Sequence, residues 1–240
     1  MKIIFCTTIF ILITCKGFTQ HKTLTLFYPD DSTNVISISN LDSMSIFICG
    51  ASKVKYGGKD YNTVLIGNQC WLKENLDVGI MIPVGTDQSN NSILEKYCLN
   101  NSQDSCSKYG ALYMWKEAIQ YSITEGVKGI CPEGWHIPTL AEFNALYSAV
   151  EGDGNSIKAV GQGYGSGAGT NTTGFSAMLG GIREYNRTFT EFNEHTHFWS
   201  STGTATQANQ IYLWSNNDWI LFHYGDITVL GFSVRCIKDN

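Results

Sequence analysis

Six cysteines spread between residues 49 and 236 constrain the fold of this chain more than any other feature of its sequence. The chain carries eight, but Cys6 and Cys15 fall in an apolar N-terminal stretch, which leaves Cys49, Cys70, Cys98, Cys106, Cys131 and Cys236. An even set in an exported chain reads as disulfides, which persist in oxidising compartments. Six cysteines allow 15 connectivities, and spacing alone does not choose among them. Metal binding by cysteine would call for CxxC or clustered Cys/His spacing, and no such pair occurs.

Export is readable at the N-terminus. Lys2 precedes the apolar or small run 3–14 (IIFCTTIFILIT), which is shorter than the roughly 20 residues that span a bilayer. A basic start and a short apolar core make residues 1–19 a predicted signal peptide. Gly17 and Thr19 fit the small positions ahead of a cut before Gln20. Alternatively, Leu12-Ile13-Thr14-Cys15 resembles a lipobox with Cys15 as the lipidated residue, although Thr14 stands where such boxes place Gly, Ala or Ser. No later stretch is long and apolar enough for a transmembrane segment. The expected product is secreted or held on the outer cell envelope.

About 220 residues follow the leader, enough for one sizeable core. Charged residues make up only 15%, while Gly (24), Tyr (12), Phe (12) and Trp (6) are plentiful. That balance favours a loop-rich, β-leaning extracellular domain. A net charge of −5 with no Lys/Arg cluster argues against nucleic acid as a partner.

Along the chain, residues 20–49 read as a small β unit. Leu24, Leu26 and Tyr28 alternate, residues 29–32 (PDDS) form a turn, and Ile36 and Ile38 alternate again. Residues 50–58 (GASKVKYGG) read as a small-residue joint, and 59–240 as the main domain. There, 61–66 and 70–72 form a predicted hairpin across Gly67-Asn68. An irregular excursion runs from 78 to 104, and a bridge between Cys98 and Cys106 would stiffen it. Leu112, Trp115, Ala118 and Ile119 predict a helix over 108–121. Thr139 with Glu142 three residues on predicts a capping box opening a second helix that Gly152 ends. Its expected buried face is Leu140, Phe143, Leu146, Tyr147 and Val150. A Gly-rich loop (161–174) and several short strands complete an α+β pattern.

The strings IGNQCWLKENLDVG, YCLNNSQDSCSKYGALYMW, CPEGWHIPTLAEFNAL, TGFSAMLGGIRE, FWSST and GFSVRCIK occur in this order. In them the chain resembles the Fibrobacter succinogenes major paralogous domain, from about Tyr56 to Lys238. The resemblance implies a C-type lectin-like fold: two helices, a small twisted antiparallel sheet and a long loop region, here preceded by the short β unit. It implies the bridges Cys131–Cys236, Cys98–Cys106 and Cys49–Cys70. Among the matched residues, Trp71, Trp135 and Trp199 read as apolar anchors, Gly134 as a tight turn and Asn75 as a binder of loop backbone. Arg235 is expected to pair with Glu74 or Glu142.

Chemistry is harder to place. His195 and His197 alternate, so on a strand they share a face, but the sequence offers no evident third ligand and no metal is assigned. His136 reads as a structural histidine. No cofactor is assigned; for calcium, the stretch 214–218 (WSNND) echoes one part of a lectin calcium site, while the loop tripeptide of such lectins is absent. The Gly-rich loop lacks both the context and the spacing of a nucleotide cradle. The expected ligand surface is a turn carrying Trp214, Asn216, Asn217, Asp218 and Trp219, where aromatics stack on sugars or anchor a protein. The function read from the sequence is a non-catalytic binding module for a glycan or a protein at the cell surface. The alternatives are a structural or assembly protein of the envelope and, behind it, an enzyme of formylglycine-generating-like fold.

Overall fold

A computed structural model describes residues 10–14, 23–27, 33–37 and 47–239. The chain divides into two units, residues 1–47 and 48–240. The first holds a three-stranded antiparallel sheet of β1 (Phe10–Thr14), β2 (Thr23–Phe27) and β3 (Thr33–Ser37). β2 and β3 pair from Thr23↔Ser37 to Phe27↔Thr33, the hairpin that the alternation predicts. β1 falls inside the stretch read as a leader. Cys15, the two cleavage positions and the turn at 29–32 lie outside the described residues.

The second unit is α+β, with short helices and several antiparallel sheets. It opens earlier than the sequence implies. Residues 50–58 are no joint, because β4 (Lys53–Tyr56) turns at Gly57-Gly58 into β5 (Lys59–Ile66), which turns again into β6 (Gln69–Leu72). The polar β4 reads as linker only until its partner strand is known. Next come β7 (Ile80–Met81) and β8 (Glu95–Lys96), then α1 (Gln103–Tyr109), β9 (Leu112–Met114) and α2 (Trp115–Ala118). The single helix predicted over 108–121 is therefore wrong. Gly110 (φ 81) ends α1 because any side chain there would strike Asn75. β9 then joins a ladder with residues 231–233 (Leu112↔Ser233, Met114↔Gly231). Leu112, Trp115, Ala118 and Ile119 are all buried as expected, but non-local strand pairing outweighs the helical spacing.

After β10 (Trp135–His136) comes α3 (Leu140–Ala149), the one predicted helix that forms as drawn. Thr139 Oγ1 accepts from Glu142 N, and Glu142 Oε2 accepts from Thr139 N, completing the capping box. Phe143, Leu146 and Val150 are buried, whereas Tyr147 is exposed and packs edge-on against Phe222. The remaining elements are α4 (Gly154–Ile157), β11 (Ile182–Arg183), β12 (Phe189–Thr190), β13 (His195–Gly203), β14 (Gln207–Trp214), β15 (Ile220–Ile227), β16 (Gly231–Ser233) and β17 (Ile237–Lys238). One sheet runs β10-β17-β6-β5-β4. The other runs β12-β11-β16-β13-β14-β15, with β9 on β16.

The six cysteines of this unit form Cys49–Cys70, Cys98–Cys106 and Cys131–Cys236, the pairs implied by the family resemblance. Their separations of 21, 8 and 105 residues correspond to about 3, 2.5 and 5 kcal/mol in the chain-entropy model. Two cores flank the β13–β15 layer. Trp71, Phe143, Phe175, Phe198 and Ile211 fill one, and Trp115, Trp135, Trp199, Phe232 and five of the six bridged cysteines fill the other, with Cys49 half-buried against it. Trp199 Nε1 donates to Tyr113 O and Trp115 Nε1 to Ser200 O. Gly134 sits at φ 77 in the turn before β10.

Arg235 lies fully buried and pairs with neither Glu74 nor Glu142. Its Nε and Nη2 donate to Asn75 Oδ1 (3.0 and 2.6 Å), and its Nη1 donates to Leu72 O (3.1 Å) and Phe175 O (2.6 Å). The guanidinium lies 4.3 Å from the Phe175 ring centre, a cation–π contact. Asn75 Nδ2 reaches Tyr109 O and Ser233 Oγ. Glu74 instead holds Asn62, and Glu142 holds His136.

Two predictions follow from these contacts. Arg235→Met leaves Asn75 Oδ1 and two carbonyls without donors, at about 1–3 kcal/mol each. Denaturant unfolding should show a loss of at least about 3 kcal/mol, and a loss under 1 kcal/mol would contradict the role given to the guanidinium. His136 bonds Glu142 and Asp239. Burial opposes its charge, but those carboxylates outweigh burial and raise its pKa, while Glu142's is lowered. A raised histidine stabilises below its unfolded value of about 6.5 and loses that contribution as pH rises through its folded value. The lowered Glu142 loses its share as pH falls through the carboxylate range. His136→Gln should therefore cost more thermal stability at pH 6 than at pH 9; equal losses would count against the ion pair.

Candidate functional site

The turn between β14 and β15 does not gather the five residues expected to form a site. Asn216, Asp218 and Trp219 are exposed, with Trp219 58% accessible, while Trp214 and Asn217 are half-buried. Trp214 belongs to β14 and stacks on His195, with ring centres 5.0 Å apart and planes at 18°. Trp219 lies across the turn, bridged to Asp153 at the entry of α4. The two tryptophans thus serve different surroundings.

The oxygens of this turn are already engaged. Lys158 is fully buried, and its Nζ donates to Gly167 O (2.5 Å), Trp214 O (2.8 Å) and Asn217 O (2.7 Å). An ammonium thus ties the Gly-rich loop to the turn, using carbonyls of the kind a calcium ion would require. Burial pulls its pKa down to about 8, with Asp153 and Asp218 acting in the opposite direction. Asp153 caps α4 by accepting from Asn155 N.

A second constellation lies on β13 and β14. Their register sets His195 opposite Trp214 and His197 opposite Tyr212, and Gln210 pairs onward with His223 of β15. Alternation turns Phe198, Ile211 and Leu213 toward the α3 core and leaves His195, His197, Gln210, Tyr212 and Trp214 on the other face. His197 stacks on Tyr212 at 5.0 Å and 7°. With Glu191 and His223 these residues line an open cleft of about 280 Å³.

Glu191 enters from the turn before β13. Its carbonyl accepts from Glu194 N and His195 N, while Asn193 N donates to Leu179 O and Ser215 N to Glu194 O. Gly181 (φ 69) lets this turn approach, since a side chain there would strike Thr190 O and the Glu191 backbone. So pinned, Glu191 Oε2 lies 3.0 Å from His195 Nδ1 and 2.9 Å from His197 Nε2. Burial works against the Glu191 charge, yet the hydrogen bond from His197 and the neighbouring imidazoles hold its pKa below the usual carboxylate range. His197 Nδ1 is fixed by Gln210 Oε1 at 2.9 Å. The shared face of His195 and His197 was visible in their spacing. The third group was not, although Glu191 stands only four residues before His195.

A disulfide-closed α+β domain with an open, ring-lined cleft is the class that these features define. Residues 64–238 match the model of the Fibrobacter succinogenes major domain, and the chain belongs to that family. No curated protein and no solved structure matches the chain. Three bridges point to an extracellular or otherwise oxidising location, and among the described residues no helix is long and apolar enough to cross a membrane.

Replacing Lys158 by Met orphans three carbonyls at about 1–3 kcal/mol each. Lys158→Met should lose about 3 kcal/mol or more in denaturant unfolding and gain a protease nick within residues 161–174. A variant as stable and as resistant as the parent would mean that the loop is held by something else.

Proposed function

We propose that this chain is a non-catalytic binding module of lectin-like layout, secreted or held on the outer cell envelope, that takes a glycan or a protein against the cleft on β13–β15. The observation that carries this reading is the run of ring pairs at the open end of the sheet. His195 on Trp214 and His197 on Tyr212 stand side by side, with Tyr212 and Trp214 6.4 Å apart. Flat rings bordered by amide and imidazole groups suit sugar faces and hydroxyls, or the aromatic anchors of a protein partner. The lectin-like layout draws support from the bridge that ties residue 131 to the final stretch at 236, the long loop-rich segments and the few helices. Calcium forms no part of the proposal. All six cysteines of the second unit are bridged, which weighs against a thiol enzyme. The acidic balance weighs against nucleic acid.

A role in envelope assembly is the second reading, favoured by the β2–β3 hairpin that follows the leader in a unit of its own. Deleting residues 20–47 behind the intact leader would abolish envelope association under that reading and spare it under the first.

The direct test is a screen of the oxidised domain against a glycan array and envelope polysaccharides, with protein partners sought by cross-linking on intact envelopes. Trp214→Ala and Tyr212→Ala should each weaken a hit by about tenfold, the scale of one lost ring stack, and Trp219→Ala should leave it intact. The reverse pattern would move the site to the turn and overturn the cleft assignment.

A further inference from the structure

We infer that Glu191, His195 and His197 form a binding site for a divalent transition-metal ion, Zn²⁺ in an oxidising compartment. This inference stands whether or not the cleft takes a glycan. One donor atom from each residue lies within 4.8 Å of the other two. Bonds of about 2.0–2.2 Å set donors roughly 3–4 Å apart around such an ion, and the carboxylate already stands 3.0 and 2.9 Å from the two imidazole nitrogens. The group is neither a loose surface cluster nor an all-oxygen one. Two neutral nitrogens and one carboxylate suit zinc and its neighbours rather than calcium or magnesium. In a compartment that keeps disulfides closed, a redox-inert ion is favoured over ferrous iron.

The surroundings supply a second, independent argument. Metal-bound histidines usually donate their other ring N–H to an acceptor that fixes tautomer and orientation. His197 is placed to do so: with its Nδ1–H donated to Gln210 Oε1, an ion that displaces the proton shared between Nε2 and Glu191 meets the Nε2 lone pair. Stacking on Tyr212 and Trp214 sets the planes of both imidazoles. Glu191 is held by a turn that is itself bonded to Leu179 and Ser215, so the carboxylate is delivered by backbone rather than by a flexible surface side chain. Three protein donors leave a coordination position toward the cleft, where His223 and solvent-borne ligands have access. A zinc ion there would take an oxygen or nitrogen of whatever the cleft binds, or a water.

The test uses the untagged, oxidised, leader-free chain. Zinc titration by calorimetry should give one site per chain, and Co²⁺ loading should give the visible absorption of a low-symmetry N/O site. His195→Ala and Glu191→Gln should each weaken zinc binding by more than a hundredfold, and Gln210→Leu by tenfold to a hundredfold. Because His195 is partly exposed, His195→Ala should keep the parent's melting profile without metal, which separates lost coordination from misfolding. A folded parent chain that shows no zinc binding in the titration, or a His195→Ala variant that binds as the parent does, would overturn the assignment. Neither readout depends on a glycan or protein ligand, so the metal site and the ligand face can fail separately.

Discussion

The guanidinium of Arg235 sits where three distant parts of the chain must meet, buried and without a carboxylate. Its bonds run to Leu72 at the end of β6, to Asn75 just beyond, and to Phe175 after the Gly-rich loop, while the neighbouring Cys236 is bridged to Cys131. A buried cation is costly unless every donor is satisfied. Here amide and carbonyl oxygens accept from four of its five N–H groups, with an aromatic face beside it. Asn75 extends the arrangement to Tyr109 and Ser233, and that closeness excludes any residue but glycine at 110. The end of α1, the start of β9 and the path of the last strands all follow from housing this one group.

Lys158 repeats the device at the turn between β14 and β15. An ammonium gathers three carbonyls from the Gly-rich loop and the β14–β15 turn, segments with little apolar surface of their own. In both places a side-chain cation gathers carbonyls from segments far apart in the chain. The loop-rich part of the domain is thus ordered by polar groups working inward.

What could be read from the sequence was what is local. The capping box at Thr139 and Glu142, the two hairpins β2–β3 and β5–β6, and the burial of Trp71, Trp135 and Trp199 depend on neighbouring residues or on composition. Where a remote partner decides, the sequence pattern misleads. Leu112, Trp115 and Ala118 keep helical spacing, yet β16 draws Leu112–Met114 into a strand. Lys53–Tyr56 looks like a linker until Lys59–Ile66 folds back on it. Trp214 and Trp219 lie five residues apart, but the strand end places one in the cleft and the other beside α4. Glu191 becomes part of the histidine face only because Gly181, ten residues earlier, lets its turn come close.

The Cys49–Cys70 bridge has a mechanical meaning. It closes β4 and β5 into a loop whose ends are covalently joined, so a pull on the chain ahead of Cys49 cannot lengthen that stretch or peel β4 from the edge of its sheet. The load passes straight to β6, which lies in the middle of the sheet beside β17, and β17 follows directly on the Cys131–Cys236 bridge. A domain loaded this way resists force as a shear across its central strands rather than as an unzipping from one edge.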